Sequence, residues 1–148
     1  MSTRKLRAVI GAAVLAISGL SVGLLGAASA SASSGPTVIV TPSTNLHNGE
    51  TVKVKGDHFK PGDVVYVVEC LRDAKGESGC LVSGLPMGIK ITATGLLPST
   101  NFKVATGKVG TGKTARTCGT NKKNLGLCAV SVGNAEGTDS GVAPIVFK

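Results

Sequence analysis

Four cysteines in two evenly spaced pairs constrain the fold of this chain more than any other feature. Cys70 and Cys80 enclose nine residues, LRDAKGESG, and Cys118 and Cys128 enclose nine more, GTNKKNLGL. Each enclosed segment is polar and contains Gly between apolar runs, which is the composition of a turn joining two strands. Four cysteines admit three pairings. The sequential pairing closes two short loops and is the one expected here. In the chain-entropy treatment each such bridge stabilises the fold by about 2.5–3 kcal/mol. A zinc site is the competing use of four thiols. No C-x-x-C occurs, and an exported chain meets oxidising surroundings, so disulfides are expected and a metal is not.

Export is read from the first thirty residues. MSTRKLR carries Arg4, Lys5 and Arg7, an apolar small-residue stretch runs from Ala8 to about Ala28, and two overlapping A-x-A sites follow at Ala28-Ser29-Ala30 and Ala30-Ser31-Ala32. That order is a cleaved signal peptide, with cleavage after Ala32 or Ala30. An uncleaved anchor is the rival, since the stretch nearly reaches spanning length. Gly and Ser dilute it, and no positive stop-transfer cluster follows. The expected division is a signal peptide over residues 1–32 and one domain over 33–148. The mature protein is then secreted, extracellular and without stable membrane association. Removing Arg4, Lys5 and Arg7 lowers the net charge from +8 to +5.

Beyond the leader, helical periodicity is nearly absent. Short β-branched runs recur at Thr37–Thr41, Thr51–Lys55, Val64–Cys70, Leu81–Ser83, Ile89–Thr94, Asn101–Thr106, Leu127–Val132 and Val142–Phe147. In TVKVK the Val positions face one way and Thr51, Lys53 and Lys55 the other. VVYVV is apolar on both faces, as in a central strand covered on both sides. NLHNGE, GDHFKPGD and GNAEGTDSG supply turns. Seven or more short strands at this spacing predict an all-β, immunoglobulin-like β-sandwich.

Motifs for chemistry are weak. Gly107-Lys-Val-Gly-Thr-Gly112-Lys113-Thr114 satisfies G-x-x-x-x-G-K-[ST], but a phosphate-cradling loop needs a helix after it. ARTCGTNKKN follows instead, without helical period, so a basic loop is expected. His47 and His58 fall in separate turns, and Asp57-His58 reads as a solvated pair rather than an oriented base. No nucleophile elbow accompanies the many serines. No catalytic residue and no enzyme activity are expected.

Charge is segregated along the chain. Ser33 to Glu77 holds six acids and five bases, whereas Ser78 to Ala135 holds no acid and seven bases. Lys108, Lys113, Arg116, Lys122 and Lys123 are the expected basic face, suited to an anionic polymer such as DNA or a wall polymer. With no Trp, one Tyr and three Phe there is little to stack bases on. DNA contact is therefore expected to be weak, backbone-directed and salt-sensitive.

The opening of the domain, GPTVIVTPSTNLHNGETVKVKGDHFKPGDVVYVVEC over Gly35–Cys70, resembles the neocarzinostatin family, the enediyne-chromoprotein apoproteins of actinomycetes. The shared pattern is P-T-x-x-V-T-P-S, then L-x-x-G, then V-K-V-x-G, then a Gly-led apolar strand ending in Cys. The tail CAVSVGNAEGTDSGVAPIVFK, Cys128–Lys148, is also similar to the family's closing strands, while Leu81–Thr117 aligns poorly. The resemblance implies a seven-stranded sandwich, a small side hairpin, two local disulfides and a cleft between them. It implies a monomeric secreted carrier that shields a non-covalent enediyne chromophore, with antibacterial and DNA-directed consequences through that ligand. By position, Arg72 stands where the protein that names the family has Trp, and Ala129, Ser131 and Gly133 stand at ligand contacts. Met87, Ile89 or Phe102 are expected on the cleft wall. The alternative is an orphan exported sandwich that binds an anionic polymer through its basic face and carries no enediyne.

Overall fold

The computed structural model of the chain describes residues 35–81 and 88–148. The leader with its cleavage sites, the end of the expected Leu81–Ser83 strand, and Met87 lie outside these residues. Nine strands occur among the described residues: β1 Thr37–Thr41, β2 Thr51–Asp57, β3 Val64–Leu71, β4 Ile89–Lys90, β5 Leu97–Lys103, β6 Gly107–Val109, β7 Arg116–Cys118, β8 Cys128–Gly133 and β9 Ser140–Pro144. One sheet has the order β1-β2-β5, a second β4-β3-β8-β9, and β6 and β7 pair as a separate hairpin. The pairings between these strands are antiparallel. Seven strands in two sheets with a side hairpin make the β-sandwich that the strand spacing predicts.

Period-2 alternation builds the core. On β2, Val52 and Val54 are buried while Thr51, Lys53 and Lys55 are exposed. They join one cluster with Val65 and Val67 of β3, Val130 and Val132 of β8, and Phe59, Leu46, Ile145 and Phe147. Burying a Val, Leu or Phe side chain stabilises by about 1.5–3 kcal/mol each, which makes this cluster the main source of fold stability. β1 lies close against β9: a Cβ on Gly141 would stand 2.8 Å from the Pro36 carbonyl oxygen, so only Gly fits.

Three local features depart from the expectations. Ile89–Thr94 is a strand only at Ile89–Lys90, because Thr92 folds the chain back. The Thr92 amide donates to the Leu96 carbonyl at 3.0 Å, and the Leu96 amide donates to Thr92 Oγ1 at 2.9 Å. β5 starts at Leu97 rather than Asn101 and so contains Pro98, which an edge strand tolerates because its outer side needs no amide donor. A register shift on β2 between Val54 and Gly56 further obscures its pattern. The β6–β7 hairpin lies in a segment whose sequence reads as a basic loop. Gly107–Val109 of the phosphate-loop look-alike is strand, and Gly112–Thr114 is a single 3-10 turn. No helix follows it, so the motif has no phosphate cradle.

Candidate ligand cleft

VVYVV is apolar on both faces for two different reasons. Val65, Val67, Glu69 and Leu71 turn into the core, whereas Tyr66, Val68 and Cys70 turn outward and line an open cleft of about 430 Å³. The β3–β8–β9 register sets its floor in rows: Tyr66, Gly133 and Ser140 in one, Val68, Ser131 and Val142 in the next. The middle strand offers only Gly and Ser, so the floor is low along β8 and flanked by Val68 and Val142. Val142 is 53% exposed, an apolar side chain left open over the floor. Apolar concavity with a few polar groups is the common form of a small-molecule site.

Two loops wall the cleft. The first is the disulfide loop Leu71–Cys80, which contributes Arg72, Ala74, Gly76 and Glu77. Cys70 is bonded to Cys80, and Cys118 to Cys128. The Arg72 amide donates to the Leu127 carbonyl at 2.8 Å, and the Leu81 amide to the Glu69 carbonyl at 2.7 Å. The side hairpin braces the loop from outside. Ser78 O accepts the Thr111 amide at 2.8 Å and the Thr114 hydroxyl at 2.8 Å, while Arg116 pairs with Asp73. Thus Thr111 and Thr114 of the look-alike motif hold the wall in place.

The second wall is the β8–β9 connection, with Asn134, Ala135 and Gly137. Asn134 organises it: its Oδ1 accepts the Thr138 amide at 3.0 Å, and its Nδ2 donates to Asp63 Oδ2 and Thr138 Oγ1, both at 3.0 Å. Asp139 ties the far end by accepting the Lys60 amide at 2.9 Å. The cleft therefore has a sheet for its floor and hydrogen-bonded loops for its sides.

Of the residues singled out by sequence, Arg72, Ser131 and Gly133 line the cleft. Ala129 continues the outward row of β8 beside Cys70 but is fully covered. Ile89 on β4 and Phe102 on β5 pack against the core cluster instead, and Met87 lies outside the described residues. Sequence reading passed over Tyr66, Val68, Val142 and Asn134. The outward apolar face of VVYVV was the signal for the first two, whereas Val142 joins them only through the β8–β9 register.

The expected basic face is divided. Lys108 and Thr117 share one face of the hairpin, and Arg116 shares the other with buried Val109 and is paired with Asp73. Lys113 and Arg116 line a second groove of about 350 Å³ with Lys75 and Ser78. Lys122 and Lys123 are exposed on the Cys118–Cys128 loop, which Asn124 closes by accepting the Thr120 and Asn121 amides at 2.9 Å.

Glu69 is a further group that sequence reading did not single out. It is 1% exposed; its Oε2 accepts the Ala105 amide at 2.9 Å, and its Oε1 has no partner among the described residues. Burial pushes its pKa from 4.5 to about 7, against the lowering effect of the Ala105 hydrogen bond. It lies on the core side of β3, away from the cleft. Among the described residues no group of three or more His, Cys, Asp or Glu is gathered to hold a metal.

Fold and site define a class: a two-disulfide β-sandwich with an apolar-floored cleft between two tethered loops. The chain belongs to the Neocarzinostatin family, whose sequence profile matches residues 38–147. It is 39% identical over 62 residues to macromomycin of Streptomyces macromomyceticus, a match spanning 42% of this chain and 43% of that relative. In solved structures it is similar to macromomycin, with a TM-score of 0.58 at 28% identity, covering 77% of this chain and 100% of that one. Apokedarcidin in solution gives a TM-score of 0.49 at 28% identity, covering 78% of this chain and all of that one.

Proposed function

We propose that the chain is an exported apoprotein that binds a small apolar chromophore of the enediyne type in the cleft over β3, β8 and β9. There it shields the chromophore from water, and antibacterial and DNA-directed activity comes from the ligand after release. One observation carries this reading: a family sandwich whose sheet exposes an apolar floor, about 430 Å³ in volume, under two anchored loops. The protein's part is binding and exclusion of solvent. The proposal includes cleavage of residues 1–32, secretion, a monomeric state and no catalysis; the two disulfides fit an oxidising compartment.

The test is purification from the native producer. With no Trp and one Tyr, the polypeptide is nearly transparent beyond the tyrosine band, so a co-purifying chromophore is seen directly. Ser131→Phe, which raises the floor between Val68 and Val142, is expected to abolish that absorbance while leaving secretion intact. A colourless parent that refuses every enediyne offered to it overturns the reading. The second reading, an anionic polymer held by basic residues, draws on the acid-free run from Ser78 to Ala135.

A further inference from the structure

We infer that the cleft selects a ligand bearing an anionic substituent, and that Arg72 is the residue that reads it. The inference rests on the carrier reading and specifies the ligand it would take. Tyr66, Val68, Ser131 and Val142 give the floor no charge, and the charged groups lining the cleft are Arg72 and Glu77 on the disulfide loop. Neither takes part in the Asp73–Arg116 ion pair or in the Asp57–His58 contact of the described residues. Asp73, next to Arg72 in sequence, is engaged by the side hairpin and so does not neutralise it.

Arg72 is held at its backbone and free at its head. Its amide is bonded to the Leu127 carbonyl, and the disulfide at Cys70 stands two residues before it, while the side chain is exposed at the cleft. A guanidinium offers a planar fork to a carboxylate, sulfonate or phosphate, and such charge-assisted pairs are about twice as strong as neutral ones. The apolar floor beside it lowers the local dielectric and strengthens the attraction. Glu77 opposes it from an exposed turn of the same loop and disfavours a second negative group on its side of the cleft. A flat apolar body on the floor with one anion toward Arg72 satisfies all of these residues.

Two fluorescent probes that differ only in charge test this: anilinonaphthalene sulfonate and its uncharged parent, phenyl-naphthylamine. Both are titrated into the full secreted protein, with Ser131 and Gly133 amide shifts reporting occupancy of the cleft. Arg72→Gln is expected to weaken the sulfonate about tenfold, the scale of one charge-assisted hydrogen bond at a partly open site, and the neutral probe less than about twofold. Arg72→Lys recovers part of the loss, and Glu77→Gln strengthens the sulfonate. The Leu127 hydrogen bond comes from the backbone and survives these changes, so an unchanged thermal midpoint is expected. Equal effects of Arg72→Gln on both probes, or none on either, overturn the inference. So does a cleft that takes the neutral probe and refuses the sulfonate, which leaves the carrier reading standing. Refusal of both probes overturns the carrier reading as well.

Discussion

On β3 every second side chain turns into the core, and at Glu69 that alternation delivers a carboxyl group among valines. Its folded pKa of about 7 exceeds its ordinary 4.5, so the folded state holds the proton more tightly than the unfolded chain does. The sign follows by linkage: the neutral form's stability is complete below about pH 4.5, declines as pH rises through 4.5 to 7, and is gone above. The displacement corresponds to about 3 kcal/mol at 1.36 kcal/mol per pH unit. Glu69→Gln keeps an acceptor for the Ala105 amide and cannot ionise. Relative to that variant, the parent is expected to lose about 3 kcal/mol between pH 4 and pH 8 in urea titrations. Parallel profiles of the two proteins would show that the carboxyl does not titrate in this range.

Among elements, the two disulfides separate loop entropy from burial. Both close loops with a sequence separation of 10, so chain entropy assigns each about 3 kcal/mol. Their settings differ: Cys118 and Cys128 are wholly buried in the core, whereas Cys80 is half-buried at the cleft wall. Replacing Cys118 and Cys128 with Ala therefore also opens a void, and is expected to cost about 1–2 kcal/mol more than replacing Cys70 and Cys80. Denaturant midpoints measure the difference. The Cys70–Cys80 variant instead loosens the wall that carries Arg72, so retention of the proposed chromophore is expected to fall more than stability does. The hairpin bonds from Thr111 and Thr114 to Ser78 limit that loosening.

For the whole molecule, charge decides the second reading. Arg116 is bound to Asp73 and lies on the other face of the hairpin from Lys108, so the basic residues do not form one plane. Retention on DNA is expected to be weak and to fall steeply with salt. Changing Lys108, Lys113, Arg116, Lys122 and Lys123 to Gln is expected to lower the salt slope by no more than about four, one for each Lys not held by an internal acid. A quintuple variant retained as firmly as the parent removes the polyanion reading.

The sheets were legible in the sequence because TVKVK carries period-2 burial directly, because VVYVV is an unbroken apolar run of strand-forming residues, and because the cysteine spacing marks local staples. Arg72, Ser131 and Gly133 were legible as cleft residues through family position. What escaped was non-local. Pro98 and a bulge concealed the start of β5, and a glycine-rich stretch that resembles a phosphate loop concealed where the expected side hairpin falls. The sequence by itself determined the β class, the two loops to be closed and the segregation of charge, since these depend on residue type and spacing. Only the tertiary structure decided which face of β3 floors a cleft and that Val142 stands beside Ser131. It also decided that Asp73 takes Arg116 and leaves Arg72 unpaired. Register and partner choice are set by contacts between segments far apart in the chain, and no local pattern records them.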